Sequence, residues 1–259
     1  MTLAAENLSL SRGGARVVES LSASLRPGEI TAIVGPNGAG KSSLLLGLAG
    51  LLEPVGGGVT LDGASLIGLH PRTRAQRIGY LPQTPDIAWD VAADNLIALG
   101  RLPWRDRGTA AVEAAIAALD LAPLRHRPVS RLSGGERARV LLARVLAGCP
   151  RWILADEPLA ALDLAHQIAL VTHLEACAAE GQGVVVVLHD LAMAMNHADR
   201  VLVLKEGRLV ADGAPAQALE PAVIARVWGV TGRWLGEAGA RALVLDSEPE
   251  GAGQGIGDP

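Results

Sequence analysis

The chain has 259 residues, of which 49% are hydrophobic, so it is long enough to bury a substantial core. Its longest apolar runs have the length of a strand, and none approaches the roughly 20 residues of a membrane-spanning helix. Residues 1–6 lack the basic and apolar regions of a secretory signal, and Cys149 and Cys177 have neither zinc-ligand nor redox spacing. A net charge of −4 argues against a nucleic-acid partner. We therefore expect a reduced, cytoplasmic globular protein.

The first predicted elements are strands, followed by a glycine-rich turn and a helix. Residues 3–10 and 58–61 have the composition of strands, each followed by turn residues. The β-branched run Ile30–Val34 leads directly into Gly35, and a helix is predicted over residues 41–52. The order strand, glycine-rich turn, helix therefore lies near the start of the chain.

The rest of the chain predicts a helical region and then alternating strands and helices. The helical region covers roughly residues 89–144, with helices predicted at 110–119 and 136–147. The alternation that follows consists of a strand at 152–155, a helix at 165–179, a strand at 183–188 and a strand at 201–204. Strands that are apolar throughout and alternate with helices predict an α/β fold with a mostly parallel sheet covered on both faces.

Residues 35–42 match the pattern G-x-x-x-x-G-K-[ST] at every fixed position and are termed the phosphate cradle here. Glycines allow a tight turn that points backbone N–H groups inward, and the following helix offers its positive N-terminal end to anions. Lys41 is expected to reach the β- and γ-phosphates, and the Ser42 hydroxyl to ligate Mg²⁺. A chance glycine-rich turn is the alternative, which the strand–turn–helix setting disfavours. The predicted nucleotide contacts are Gly35, Pro36, Asn37, Gly38, Ala39, Gly40, Lys41, Ser42 and Ser43.

Two adjacent carboxylates, Asp156 and Glu157, follow the predicted strand at 152–155. Ligands of parallel sheets bind at the carboxyl ends of the strands, so Asp156 is placed to hold Mg²⁺ through water. Glu157 is placed to orient the attacking water or to accept its proton. Such a pair alone more often belongs to a helix N-terminus or a solvated turn. Together with the cradle, the catalytic role is favoured.

Residues 133–136, Ser-Gly-Gly-Glu, open a predicted helix ahead of these carboxylates and are termed the signature segment. Ser133 with Glu136 three residues later fits a capping box. A capped helix N-terminus is also an anion site, so the segment can have both roles. Preceded by Leu132, it resembles the signature motif of ABC-transporter ATPase subunits.

Three further motifs follow the order of that family. Gln83 resembles the Q-loop glutamine, residues 161–163 resemble the D-loop, and His189 resembles the switch histidine. The resemblance extends over residues 3–215, which is most of the chain. A lone histidine at a strand end is usually structural, and its place in this series is what favours a functional role for His189.

The resemblance implies an ATPase with the family's fold and domain organisation. That fold is a P-loop NTPase core, a mostly parallel sheet flanked by helices, with an N-terminal antiparallel β region and a helical subdomain. The ATPase domain would cover residues 1–235, with the helical subdomain at about 86–145. Residues 236–259 would form a C-terminal extension, in which residues 247–259, rich in Gly and Pro, are predicted to be disordered.

The resemblance also implies a head-to-tail homodimer that binds ATP and Mg²⁺. The signature segment of one subunit would close over the γ-phosphate held by Lys41 of the other. In the signature segment, the implied nucleotide contacts are Ser133, Gly134, Gly135 and Glu136. The implied catalytic residues are Lys41, Gln83, Glu157, which would position water, and His189, which would contact the γ-phosphate. The implied Mg²⁺ ligands are Ser42, Gln83 and Asp156.

The adenine end of the site departs from the family pattern. The family commonly stacks adenine on an aromatic residue at the position that Arg12 occupies here, and no Tyr, Trp or Phe lies nearby in the sequence. Either the guanidinium of Arg12 stacks on the base, or apolar residues such as Val17 and Val18 pack against it.

The segment between Gln83 and Ser133 bears on the type of ABC ATPase. It has only about 50 residues, too few for the long coiled coils of ABC ATPases in chromosome maintenance and strand repair. The ribosome-associated type resembles two fused cassettes, whereas this chain has one. The chain is therefore similar to a separate subunit that docks on a membrane permease, on the cytoplasmic face of the cell membrane.

Residues 87–91 and 98–103 are similar to subunits that serve uptake of ferric siderophores, haem or vitamin B12 (cobalamin). This stretch would form the groove that receives the permease, with Trp89, Leu102 and Trp104 either exposed there or part of the core. The implied function is the ATPase subunit of an importer, partnered by permease subunits and, indirectly, by a substrate-binding protein.

Two other functions stay open at this point. A soluble ABC-type ATPase in nucleic-acid repair or regulation is the first, and the acidic charge and missing coiled coil count against it. A nucleotide-binding module without turnover is the second, and the presence of Lys41, Asp156, Glu157 and His189 counts against that.

Overall fold

The computed structural model describes residues 2–83, 90–160 and 162–246. The strands, in chain order, are β1 (Leu3–Arg12), β2 (Ala15–Leu25), β3 (Ile30–Val34), β4 (Pro54–Leu61), β5 (Ala64–Ser65), β6 (Ile78–Leu81), β7 (Trp152–Asp156), β8 (Gly183–Val187), β9 (Arg200–Lys205), β10 (Arg208–Gly213), β11 (Gly232–Leu235) and β12 (Ala242–Leu245).

The α-helices are α1 (Lys41–Leu48), α2 (Pro71–Arg77), α3 (Ala93–Ala98), α4 (Thr109–Ala118), α5 (Gly134–Ala147), α6 (Leu164–Ala179), α7 (Leu191–His197), α8 (Pro215–Ala218) and α9 (Pro221–Trp228). Short 3-10 helices span Leu99–Trp104, Ala122–Leu124 and Val129–Arg131. Within the described ranges, no helix combines the length and the apolarity that crossing a bilayer requires.

The described strands form two large sheets and one hairpin. The larger sheet has the order β10-β9-β3-β8-β7-β6, and all its pairs are parallel except β10 with β9. The smaller sheet has the order β2-β1-β4-β5 and is antiparallel throughout. The predicted α/β fold, with a mostly parallel sheet and an N-terminal antiparallel region, is confirmed.

Strand β3 shows how the parallel sheet separates two hydrophobic cores. All five of its residues are buried, and side chains of a strand alternate between faces. Ala32 and Val34 belong to the cluster that contains the apolar residues of α5 and α6. Ile33 belongs to the cluster that contains Leu44 and Leu45 of α1 and the inner face of the antiparallel sheet. The helix after the cradle is therefore held between the two sheets.

The strand order also brings the predicted motifs to one edge of the parallel sheet. Strands β3, β8, β7 and β6 are consecutive neighbours and run in the same direction. Their carboxyl ends are followed by Gly35, His189, Glu157 and Gln83 respectively. This edge is where ligands of open α/β sheets bind.

Helix α1 is shorter than the prediction of residues 41–52, because the chain reverses at Gly50. Gly50 has φ +67°, and the N–H of Leu51 donates to Leu46 O at 2.8 Å. A left-handed glycine with a hydrogen bond of this span is a common helix C-terminus. The next strand, β4, begins at Pro54, four residues ahead of the predicted strand.

The C-terminal part contains elements that the sequence patterns did not predict. Strands β11 and β12 form a hairpin that spans the predicted division between residues 235 and 236. Trp234 Nε1 donates to Leu219 O at 2.8 Å. The side-chain amide of Asn196 donates through Nδ2 to Arg241 O and accepts through Oδ1 from Arg241 N, both at 2.8 Å. The hairpin is therefore attached to α7 and α8. The predicted disordered residues, 247–259, lie outside the described residues.

Candidate functional site

The phosphate cradle joins β3 to α1 in a conformation that only glycine can adopt at two positions. At Gly35, with φ +153°, a Cβ would lie 2.1 Å from Leu204 O. At Gly40, with φ +95°, a Cβ would lie 2.3 Å from Val17 O. Any side chain at either position would therefore meet backbone atoms at an impossible distance.

Lys41 begins α1, and its side chain folds back over the cradle. Its Nζ donates to Gly35 O at 2.8 Å and to Pro36 O at 3.0 Å, and the residue is buried. Burial lowers the pKa of this ammonium, although Glu157 and Asp156 oppose the change. The cation therefore sits at low solvent exposure beside two carboxylates, where electrostatic interactions are strong.

Ser42 and Asp156 connect the cradle to the end of β7. The Ser42 hydroxyl donates to Asp156 Oδ1 at 3.0 Å, and Asp156 is buried. Burial raises the pKa of Asp156; the hydrogen bond from Ser42 opposes this, and the charge of Glu157 adds to it. The two side chains present hydroxyl and carboxylate oxygens to the same place.

Glu157 lies between two side chains that arrive from other strands. Gln83 Nε2 donates to Glu157 Oε2 at 2.5 Å, and His189 Nε2 contacts Glu157 Oε1. A carboxylate can only accept, so the proton of a neutral His189 is on Nε2 in this arrangement. Glu157 has φ +49°, an uncommon conformation for a residue other than glycine. Strain of this kind clusters at functional sites.

One cavity of about 390 Å³ is lined by part of the predicted nucleotide contacts, and Gly35 and Pro36 are not among its lining residues. Its lining residues are Arg12, Val17, Asn37, Gly38, Ala39, Gly40, Lys41, Ser42, Ser43, Glu157 and His189. Arg12 and Val17, which were the two alternatives for the adenine contact, both line this cavity. Val18, the other apolar residue considered, is fully buried in the core.

The signature segment forms the N-terminus of α5 and has the capping box that its sequence predicts. Glu136 N donates to Ser133 Oγ at 3.3 Å, and Ser133 N donates to Glu136 Oε2 at 2.7 Å. The hydrogen bond from the backbone N–H of Ser133 to the Glu136 carboxylate lowers the pKa of Glu136, and Arg127 adds an ion pair at 3.2 Å. Of the described residues that line the cavity around Lys41, none belongs to this segment. One chain alone therefore does not bring its signature segment to its own cradle.

Tyr80 lies beside the candidate site, and the sequence patterns predicted no role for it there. It lies on β6, next to β7, and its hydroxyl is close enough to Asp156 for that carboxylate to affect its pKa. Burial raises the pKa of Tyr80 to about 12, and the charge of Asp156 contributes. Its position between Ile78 and Leu81 on a buried strand gives no sign of this role, because the contact depends on β6 pairing with β7.

Part of the predicted permease groove falls outside the described residues, namely residues 87–89 with Trp89. Residue 161 of the predicted D-loop does so as well. Leu102 is 67% exposed and Trp104 is 40% exposed, so the alternative that they belong to the core is wrong. Trp104 is held in place by its Nε1, which donates to Gly148 O at 2.9 Å.

Comparison with known proteins gives a consistent result. The family model described as ABC transporter matches residues 18–160. The chain is 43% identical to the hemin import ATP-binding protein HmuV of Rhodococcus jostii (strain RHA1), over 88% of this chain and 80% of that protein. It is also 43% identical to the protein of the same name in Myxococcus xanthus (strain DK1622), over 97% of this chain and 98% of that protein.

Solved structures show the same fold. The structure of cbiO1 from Clostridium perfringens, part of the ABC transporter complex cbiONQ, has a TM-score of 0.75 and 27% identity, covering 86% of this chain and 92% of that one. The ADP conformation of MJ1267, an ATP-binding cassette of an ABC transporter, has a TM-score of 0.79 and 23% identity. The match covers 88% of this chain and 98% of that one.

Proposed function

The chain belongs to the ABC transporter family as an ATP-hydrolysing subunit of the importer group, and from that membership we propose that it powers the uptake of haem. The support for haem is that two relatives, each 43% identical over 88% and 97% of this chain respectively, are hemin import ATP-binding proteins. Ferric siderophores and cobalamin, the other chelates considered, become outcomes of the test. The relatives are import subunits, which favours transport over a role in nucleic-acid repair.

The observation that carries the catalytic part of the proposal is the placement of Glu157. It lies beside the cradle and is held by Gln83 and His189, which come from two other strands. We propose that its carboxylate orients a water molecule toward the γ-phosphorus and accepts a proton from it. The bond between the γ-phosphorus and the bridging oxygen then breaks, and ADP and phosphate result. Lys41 would balance the charge of the phosphate oxygens.

Mg²⁺ fits the residues at this edge of the sheet. Ser42 and Asp156 offer hard oxygen ligands that are already within 3.0 Å of each other, and Gln83 carries an amide oxygen nearby. Burial disfavours the ionised form of Asp156, so a bound cation would relieve that cost. We propose Ser42, Gln83 and Asp156 as the residues that hold it. When bound, the ion supplies charge neutralisation at the phosphates.

We propose that two copies form a head-to-tail dimer with two composite sites. The support is that the signature segment is a capped helix N-terminus, which can bind an anion, yet it does not line the described part of its own cradle cavity. Ser133 and Gly134 are exposed and so are accessible to a second copy. ATP would close the dimer, and hydrolysis with product release would reopen it.

The proposed docking surface for the permease is the 3-10 helix Leu99–Trp104. Leu99, Leu102 and Trp104 expose 45%, 67% and 40% of their surface, respectively. A group of exposed apolar side chains of this kind is typical of a protein–protein interaction site. Docking there would place the chain on the inner face of the cell membrane. A substrate-binding protein would then reach the chain only through the permease.

The transport proposal is tested by growth on defined iron sources. Deleting the gene of this chain from its host should abolish growth on haem as the sole iron source and leave growth on a ferric siderophore intact. The wild-type gene should restore growth, and Lys41→Ala should not. Loss of growth on the siderophore, or of cobalamin-dependent growth, with haem growth retained would overturn the assignment of haem.

A further inference from the structure

The signature segment contacts helix α6 of its own chain through Gly135. Unlike Ser133 and Gly134, which are exposed, Gly135 is buried. A Cβ on Gly135 would lie 2.4 Å from His166 Cδ2, 2.6 Å from Cγ and 2.8 Å from Nε2. Three ring atoms at these distances place the imidazole against the Cα of Gly135. The glycine is therefore required by a contact within the chain.

The His166 ring is fixed by its own helix. Asp163 Oδ1 accepts from the backbone N–H of His166 at 2.9 Å and lies 2.7 Å from its Nδ1. The same carboxylate is the N-cap of α6. Because the carboxylate holds both the backbone and the ring of His166, the ring has little freedom to move away from Gly135.

The next residue of α6 holds the loop that follows Glu157. Gln167 Nε2 donates to Leu159 O at 3.3 Å and to Leu162 O at 3.1 Å. The first turn of α6 thus contacts two segments at once. Its glutamine is bonded to the backbone after Glu157, and its histidine is pressed against the signature segment.

We propose that His166 is a positioning residue that sets the signature segment relative to the loop after Glu157. This inference rests on the proposed dimer, in which one chain supplies Glu157 to one site and its signature segment to the other. A shift of the loop at the first site then moves α6 and, through His166, the signature segment at the second. His166 thereby connects the two sites without contacting nucleotide.

The test uses the purified full-length chain with His166→Ala. We expect the kcat of ATP hydrolysis to fall roughly tenfold while KM for ATP changes less than about twofold, because misplacing a group by a fraction of an ångström affects turnover more than binding. In a Glu157→Gln background, His166→Ala should also reduce the fraction of ATP-bound dimer in size-exclusion chromatography. His173→Ala, on the same helix but outside this contact, is the matched control and should behave as wild type.

Two further variants separate ring packing from folding. His166→Asn keeps a donor for Asp163 but removes the ring atoms that press on Gly135, so it should lower kcat as His166→Ala does and provides the test if the alanine variant unfolds. Gly135→Ala should lower kcat, and adding His166→Ala should not lower it further, because the new Cβ would occupy the space of the ring. Such a pair in contact is expected to be non-additive by about fivefold or more.

Two outcomes would overturn the inference. The first is that His166→Ala and His166→Asn both have the same kcat as His173→Ala. The second is that Gly135→Ala lowers kcat by the same factor in the wild-type chain and in the His166→Ala variant. Failure of the proposed dimer is distinguishable, since Glu157→Gln alone would then give no ATP-dependent dimer.

Discussion

The Ser42 hydroxyl donates a hydrogen bond of 3.0 Å to Asp156 Oδ1, joining the first turn of α1 to the last residue of β7. These residues are 114 positions apart in the chain. The contact fixes the cradle relative to the strand that Glu157 follows. The parts of the site that we propose bind phosphate and activate water therefore lie at one edge of the sheet.

Replacing Glu157 by glutamine should abolish turnover and spare nucleotide binding. Glutamine keeps the size of the side chain but cannot accept a proton from water, so kcat should fall by about a hundredfold or more. ATP affinity, measured by calorimetry, should stay within about threefold of wild type, since Lys41 and the cradle are unchanged. Glu175→Gln, on the outer surface of α6, is the control. Turnover that survives in Glu157→Gln would remove this residue from the role of base.

Asp156 predicts a pH-dependent stability in the absence of nucleotide and Mg²⁺. Burial raises its pKa above the ordinary 3.8, so the folded state favours the protonated carboxyl. This contribution is fully present below pH 3.8 and is lost as the pH rises through the folded-state pKa. Asp156→Asn, which stays neutral and keeps an oxygen for Ser42, should therefore unfold at a higher temperature than wild type at neutral pH. The difference should shrink on acidification, and a deficit at neutral pH would contradict this account.

Gly35 and Gly38 form a matched pair for the steric requirement of the cradle. Gly35→Ala should destabilise the chain by about 2–4 kcal/mol, because its Cβ would meet Leu204 O at 2.1 Å in a left-handed conformation. Gly38 also has positive φ, but a Cβ there would meet nothing within 4 Å. Gly38→Ala should cost only about 1 kcal/mol, the ordinary strain of that backbone region. Chemical denaturation measures both, and equal losses would speak against the backbone contact as the cause.

Arg12 is predicted to take the place of an aromatic residue against adenine. Arg12→Ala should weaken ATP binding by about fivefold, whereas Arg12→Tyr should retain or improve it. The reason is that a planar guanidinium group and a phenol ring can both stack on a base. Arg16, exposed on β2 opposite Ser11, supplies the control Arg16→Ala. Fluorescence titration with an adenine nucleotide measures the affinities. If Arg12→Ala and Arg16→Ala bind equally well, the base is held by other residues, of which Val17 is the candidate at the cavity.

The cradle and the buried parallel strands could be predicted from local sequence patterns. The cradle can be identified from sequence because its backbone path needs glycine at Gly35 and Gly40, whatever the rest of the fold. The parallel strands β3, β7 and β8 were predictable because burial on both faces makes them apolar throughout.

Other features depend on contacts that no local pattern encodes. Strand β2 could not be given bounds from the sequence, because Ser20 with φ +46° and several register shifts against β1 interrupt its alternation. The contact of Tyr80 with Asp156 requires β6 to pair with β7. The contact of His166 with Gly135 requires the first turn of α6 to pack against the start of α5. These relationships arise from tertiary packing and became visible only in the structure.

Cross-linking between separately labelled chains can test whether each site is completed by a second copy. In a Cys149→Ser, Cys177→Ala, Glu157→Gln background, one pool carries Asn37→Cys at the cradle and another carries Ser133→Cys at the signature segment. Each molecule then has a single thiol, so a disulfide between the two positions must join two chains. Calorimetry first confirms that both pools bind ATP.

If the sites are composite, a disulfide-linked dimer should form when the two pools are mixed with ATP and an oxidant, and much less of it should form without ATP or within either pool alone. The contradicting result is no ATP-dependent product in the mixture, together with an internal disulfide when one chain carries both Asn37→Cys and Ser133→Cys. That outcome would place the signature segment at the cradle of its own chain.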